Sequence, residues 1–198
     1  MSESKTTNQN TGTNIKAFLK SNFTTHLLLK RLVCFLAALA IVLPPSLSMN
    51  VWAQHAALQN YGGDGFLNIY ITTNEGVAFS LFGNAGPAAV YILQSIISLA
   101  IFVAVLFTKR WYQSFLLSMA FLGGFFNIMD RTTVATFTYN NHATFEYNVV
   151  VDYFRFFTSA IFNFPDIFVL TGIIGATLLY FITTIITYSK LKKSEKPK

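Results

Sequence analysis

Three aspartates border the apolar stretches of this 198-residue chain, in three different settings. Asp130 closes one apolar run in Asn127-Ile-Met-Asp130-Arg131, Asp152 interrupts another in Val149-Val-Val-Asp152-Tyr-Phe, and Asp166 opens a third in Phe162-Asn163-Phe-Pro-Asp166. Ionisable groups at membrane depth are costly, which makes each a functional candidate. A carboxylate at a helix C-terminus is disfavoured by the helix dipole, so Asp130 beside Arg131 reads as a structural ion pair or an anchor. In a first helical turn the dipole favours the anion, which is the setting of Asp166. Burial in an apolar run favours the neutral acid at Asp152. Two carboxyls with one proton between them can hydrolyse an amide. One takes a proton from water while the other gives one to the carbonyl oxygen. Spacing alone leaves open that the three aspartates are cation ligands or interface anchors.

Other reactive side chains offer less. His26, His55 and His142 are scattered without ligand spacing, so no metal site is expected. The one cysteine, Cys34, excludes an internal disulfide, and Val33 before it does not suit a lipid-attachment motif. No serine is placed with a histidine and an aspartate as a triad. Gly123-Gly124 reads as a close-packing surface for a neighbouring helix, and Gln94 with Ser98, one turn apart, as interhelical hydrogen-bonding residues.

The elements that position these residues follow from composition. The chain is 53% hydrophobic and 11% charged. A soluble domain carries about 25% charge, so these numbers exclude both a soluble fold and disorder. Four apolar runs are long enough to cross a core about 30 Å thick: about Leu27–Val51, Pro87–Thr108, Trp111–Met129 and Pro165–Tyr188. The first is interrupted by Lys30-Arg31 and by Pro44-Pro45. Twelve of the fourteen basic residues lie between Lys5 and Arg31, at Lys109-Arg110 or in the tail from Lys190. That is the positive-inside pattern, with both termini cytoplasmic, and no nucleic-acid surface.

The expected organisation is a mobile cytoplasmic tail over 1–25, one membrane domain over 26–189 and a basic cytoplasmic tail over 190–198. Residues 52–86 and 130–164 are outside. In the first, Leu67, Ile69 and Ile71 alternate with Asn68, Tyr70 and Thr72, a strand signal. In the second, Val134 to Val151 around Asn140-Asn141 reads as a hairpin. The fold class is therefore an all-α membrane protein, a four-helix bundle with a small extracytoplasmic β element.

Four segments in order resemble the lipoprotein signal peptidases, the type II signal peptidases of bacteria. They are Asn74-Glu-Gly76-Val-Ala-Phe-Ser80, Gly123-Gly-Phe-Phe-Asn127-Ile-Met-Asp130-Arg131, Val150-Val-Asp152-Tyr-Phe and Phe162-Asn163-Phe-Pro-Asp166. The resemblance implies an aspartyl endopeptidase of the bacterial plasma membrane. It would cut prolipoproteins before the diacylglyceryl-modified cysteine, with its site at the outer face. By the same resemblance Asp152 and Asp166 are the catalytic pair, and Asn74, Gly76, Asn127, Asp130, Arg131 and Asn163 support the site. It implies no cofactor and no metal. The partners are lipid-modified precursors and membrane lipids, and the chain acts as a monomer. The family's Asp-x-x-x-Lys pair near the end of the first helix is replaced here by Pro45 and Met49. That loss of polar support is the ground for a rival reading, an inactive relative. A small membrane carrier using the same aspartates is the other.

Overall fold

The computed structural model describes residues 14–55, 65–76, 82–139, 142–157 and 160–194. Residues 14–22, inside the stretch expected to be a mobile tail, form a helix, α1. Four long helices follow: α2 (Thr25–His55), α3 (Pro87–Phe107), α4 (Trp111–Thr132) and α5 (Phe164–Ser194). All four are long and apolar enough to cross a membrane. Both α2 and α5 have 31 residues, or about 46 Å at the helical rise, so each outruns the hydrocarbon core. Pro44 and Pro45, which interrupt the first apolar run, do not break the helix, since α2 runs through both. Two N–H donors are missing from its ladder there, and the Ser48 hydroxyl donates one turn back to the Pro44 carbonyl at 2.6 Å.

The central helix is α4, which packs against α2, α3 and α5. It is the least apolar of the four because its neighbours are protein rather than lipid. Small residues let those neighbours approach. A Cβ on Gly123 would overlap the Pro165 carbonyl of α5, and one on Gly124 would lie 2.9 Å from Ser98 Oγ of α3. The Gly-Gly pair therefore seats two helices, where the sequence suggested one. Gly172 of α5 answers with the same closeness to Leu116 and Ala120. Ala38, Val42, Met119, Leu122, Phe126 and Phe168 fill the space between α2, α4 and α5. Leucines and isoleucines such as Ile92, Ile96, Leu99, Ile174 and Leu178 point outward, where acyl chains replace water as their solvent.

Five strands sit at the end of the bundle where α4 finishes and α5 starts. In one antiparallel sheet β4 (Val150–Phe156) lies between β1 (Leu67–Asn74) and β5 (Ala160–Phe162). The other pairs β2 (Ala135–Tyr139) with β3 (His142–Glu146). The expected alternation along β1 fails at its start, where Leu67 is exposed and Asn68 buried. The register with β4 shifts between Ile69 and Thr72, and Asn68 Nδ2 donates to the Gly65 carbonyl. The hairpin expected over Val134–Val151 is shorter, because Val150 already pairs with Asn74. Its expected tip, Asn140-Asn141, lies outside the described residues. Phe137 is fully buried with Ile71, Val149, Val151 and Tyr153 against Ala53 of α2, so the hairpin is part of the core.

The glycine packing predicts unequal costs. Gly123→Ala should lose about 1–3 kcal/mol, since the overlapped atom belongs to backbone that cannot move aside. Gly175→Ala meets only the flexible end of Leu116, at 3.3 Å, and should be near neutral. Thermal unfolding in detergent micelles distinguishes the two, and equal melting temperatures would contradict this packing.

Candidate active site

Asp166 is built by the start of α5. Asn163 is the residue before that helix, and its Oδ1 accepts from Asp166 N–H at 2.9 Å. Asp166 Oδ2 in return accepts from Asn163 N–H at 3.3 Å. This reciprocal cap satisfies two backbone donors that a helix start leaves over, and it fixes the aspartate's rotamer. The second oxygen, Oδ1, accepts from Asn127 Nδ2 at 2.7 Å, and Asn163 Nδ2 donates to Asn127 Oδ1 at 2.9 Å. Both asparagines are thus held by α4 and α5 together. The Tyr153 hydroxyl accepts from Phe164 N–H at 2.9 Å and ties the same helical turn to β4.

Asp152 reaches the site from a strand. It lies in mid-β4 opposite Thr72, with 2% of its surface exposed. Asn74, at the end of β1, donates Nδ2 to Asp152 Oδ2 at 3.1 Å. Asn74 Oδ1 accepts from Gly76 N–H at 2.9 Å, a local turn that orients the amide. The other carboxyl oxygen, Asp152 Oδ1, is buried and has no hydrogen-bond partner among the described residues. Burial pushes the Asp152 carboxyl well above the usual carboxylate range. The Asp166 carboxyl adds to this, and the Asn74 hydrogen bond and Arg131 oppose it. Burial likewise pushes the Tyr153 phenol up, so it keeps its proton.

Arg131 fastens these parts. Its Nε donates to Gln94 Oε1 of α3 at 3.0 Å. Its Nη1 donates to the carbonyls of Asn74 and Asn148 at 3.0 and 3.1 Å, and Nη2 donates to the Gly76 carbonyl. Asn148 adopts φ +62°, which asparagine tolerates better than most residues. The Tyr91 hydroxyl donates to the Arg131 carbonyl at 2.5 Å. The expectation that Asp130 pairs with Arg131 is corrected here: the guanidinium spends its donors on Gln94 and backbone carbonyls. Asp130 Oδ1 instead accepts from Asn50 Nδ2 of α2.

All eight residues singled out from the sequence meet at this end of the bundle. The cavity there has a volume of about 260 Å³. Asn74, Gly76, Asn127, Arg131, Asp152 and Asp166 line it, with an apolar wall that includes Phe156, Phe162, Val169 and Leu170. Asp130 and Asn163 stand behind as supports. Gln94 makes the interhelical bond expected of it. Asn50, Tyr91 and the Tyr153 hydroxyl were missed. Asn50 lies five residues from Pro45 and one from Met49, so polar support from the first span survives on a neighbouring position. Among the described residues no three His, Cys, Asp or Glu side chains gather as metal ligands.

A family model described as signal peptidase (SPase) II matches residues 37–184. The chain is 36% identical over 189 residues to a lipoprotein signal peptidase of Malacoplasma penetrans, covering 93% of this chain and 76% of that one. It is 40% identical over 134 residues to a lipoprotein signal peptidase of Mycoplasmoides gallisepticum, covering 67% of this chain but 41% of the relative. Two solved structures of bacterial membrane enzymes share the fold. One has TM-score 0.53 and 18% identity over 85% of this chain and 92% of that one. The other has TM-score 0.56 and 20% identity over 75% and 92%.

The raised Asp152 carboxyl makes a stability prediction. The folded chain holds this proton at pH values where the unfolded chain, with its aspartate near 3.9, has lost it. Its contribution is therefore fully present below about pH 4 and is lost as pH rises through the folded value. Asp152→Asn removes that loss. The variant should melt higher than the parent at pH 8, with the gap closing toward pH 4. A gap that widens on acidification would contradict the burial argument.

Proposed function

The chain belongs to the signal peptidase II family, and from that premise we propose that it is an aspartyl endopeptidase in which Asp152 and Asp166 are the catalytic pair. It is a multi-pass membrane protein that removes signal peptides from lipoproteins. The scissile bond is the one before the diacylglyceryl-modified cysteine. One observation carries the aspartyl reading: two carboxyls on different elements line one cavity, one donor-held and the other buried with one oxygen that has no hydrogen-bond partner among the described residues.

Asp166, with both oxygens accepting N–H donors, is the carboxylate that takes a proton from water. The water oxygen then attacks the carbonyl carbon. Asp152, kept protonated by burial, gives its proton to the carbonyl oxygen, which leaves a tetrahedral diol. On collapse the proton on Asp166 passes to the amide nitrogen and the C–N bond breaks. The diol returns a proton to Asp152 as the carbonyl re-forms. The cysteine leaves as an amine and the signal peptide as a carboxylic acid, with the starting proton count restored. Asn127, Asn163, Asn74 and Arg131 hold the pair, since a loosely placed pair loses most of its rate. Asp130 acts through Asn50 and α4. No cofactor takes part. In this reading the chain works as a monomer. The apolar wall of Phe156, Phe162, Val169 and Leu170 suits a substrate whose lipid chains arrive through the bilayer.

Cleavage of a lipid-modified precursor by purified protein in micelles tests this. Asp152→Asn and Asp166→Asn should each lose at least ~10²–10⁴ in rate with the fold retained, because an amide neither takes nor gives the proton. Asp130→Asn should lower yield yet leave activity per folded molecule. Near-normal turnover in either of the first two variants rejects the aspartyl reading.

The same charge pattern orients the chain, with both termini in the cytoplasm and the cavity at the outer face. A cysteine at Thr144 should react with an impermeant thiol reagent in intact cells, while one at Lys192 should not. Labelling at Lys192 alone would reverse the topology.

A further inference from the structure

At the end of the bundle opposite the aspartates, α1 is an element that the peptidase chemistry does not use. Its described residues, 14–22, divide into two faces. At 100° per residue Ile15, Phe18, Leu19 and Asn22 share one side, and Lys16 and Lys20, one turn apart, share the other. Asn22 is buried, while Ile15, Phe18 and Leu19 remain 54%, 56% and 43% exposed. A helix in water would not leave three such side chains on one face uncovered.

The height of α1 relative to the membrane is fixed by its contacts. Arg31 of α2 donates Nη1 to the Asn22 carbonyl at 2.7 Å and Nε to the Thr108 carbonyl at 3.0 Å, joining α1 to the residue that follows α3. The Phe18 ring stacks on Phe107 at 6.0 Å between centroids, and Phe23 meets the same ring edge-on at 5.6 Å. Lys30 Nζ donates to the Lys109 carbonyl at 2.7 Å. Phe107 ends the apolar span and Lys109 begins the polar turn, so α1 sits at the boundary between acyl chains and headgroups. Leu28, Leu29 and Leu32 at the start of α2 are likewise exposed.

Charge selects the partner. Lys16, Lys20, Lys30, Lys109, Arg110, Lys190 and Lys192 share this end. Every acidic residue among the described ones, Glu75, Asp130, Glu146, Asp152 and Asp166, lies at the other end. We propose that α1 is an in-plane anchor that docks on anionic phospholipid. Ile15, Phe18 and Leu19 enter the acyl region, and Lys16 and Lys20 meet headgroup phosphates. The site chemistry plays no part in this docking.

The test uses the full chain with Cys34→Ser, which keeps a donor for the Trp111 carbonyl, and single nitroxide-labelled cysteines at positions 15 to 21. The protein is reconstituted into vesicles of phosphatidylcholine alone or with 30% phosphatidylglycerol. Labels at 15, 18 and 19 should be reached by oxygen and shielded from a water-soluble nickel chelate, and labels at 16 and 20 should show the reverse. Each lysine near an anionic surface is worth a factor of about five in partitioning, so Lys16→Gln with Lys20→Gln should lower the immersed-to-aqueous ratio at position 19 about twenty-five-fold. That drop should appear only in the phosphatidylglycerol vesicles. Precursor cleavage in micelles should be unchanged in the double variant, which certifies its fold. Equal water access at 16 and 19 would overturn the in-plane anchor, and equal populations in the two lipids would overturn the anionic partner.

Discussion

The site depends on one buried cation. Arg131 is 2% exposed at the end of the central helix, and its guanidinium bonds groups from three separate parts of the chain. Gln94 belongs to α3, Asn74 and Gly76 to the segment leaving β1, and Asn148 to the turn into β4. Burying a charge is costly unless its donors are met, and here uncharged oxygens meet them. A planar fork can address several carbonyls at fixed angles, which a lysine ammonium cannot. The two loops bearing Asn74 and Asn148 are therefore held at one height, and with them the strand that carries Asp152.

The two cavity carboxyls are built by opposite means. Asp166 belongs to a helix start, where capping uses its oxygens as acceptors and local chain geometry orients it. Asp152 belongs to a strand covered on both sides, where one oxygen has Asn74 and the other has none among the described residues. Such a difference in surroundings is what separates an acid from a base of identical chemical type. The cost is carried by the packing around it: Phe137, Ile71, Val151 and Tyr153 enclose the strand, and Gly123 brings α5 close enough for Asn127 to reach Asp166.

A membrane chain distributes polarity unlike a soluble one. Lipid-facing helices α2, α3 and α5 are apolar over most of their surface, so their existence and length are plain in composition. Helix α4 faces protein on three sides and tolerates Ser114, Ser118, Asn127, Asp130 and Arg131. A hydropathy pattern alone registers this only as a weaker span. The prolines of α2 are tolerated for a related reason: a break signal in water is absorbed in lipid, where leaving the helix would expose still more backbone.

Much of the site was legible in the residues themselves. Span number, the small β element and the basic end of the bundle follow from residue type and order, as properties of transfer energy and local geometry that act over a few residues. The grouping of Asn74, Asn127, Arg131, Asp152, Asn163 and Asp166 came instead from the resemblance of four segments to the type II signal peptidases. Pairing across the chain was not legible. That Asp130 takes Asn50 rather than its neighbour Arg131, that β1 shifts register between Ile69 and Thr72, that Phe137 closes the core, and that residues 14–22 form a helix against Phe107 all depend on groups far apart in sequence. Adjacent side chains at a helix end diverge by about 100°, so proximity in sequence did not make Asp130 and Arg131 partners. Which distant donor arrives first is decided by how close the helices pack, and that was set by glycines and a buried guanidinium only once the chain had folded.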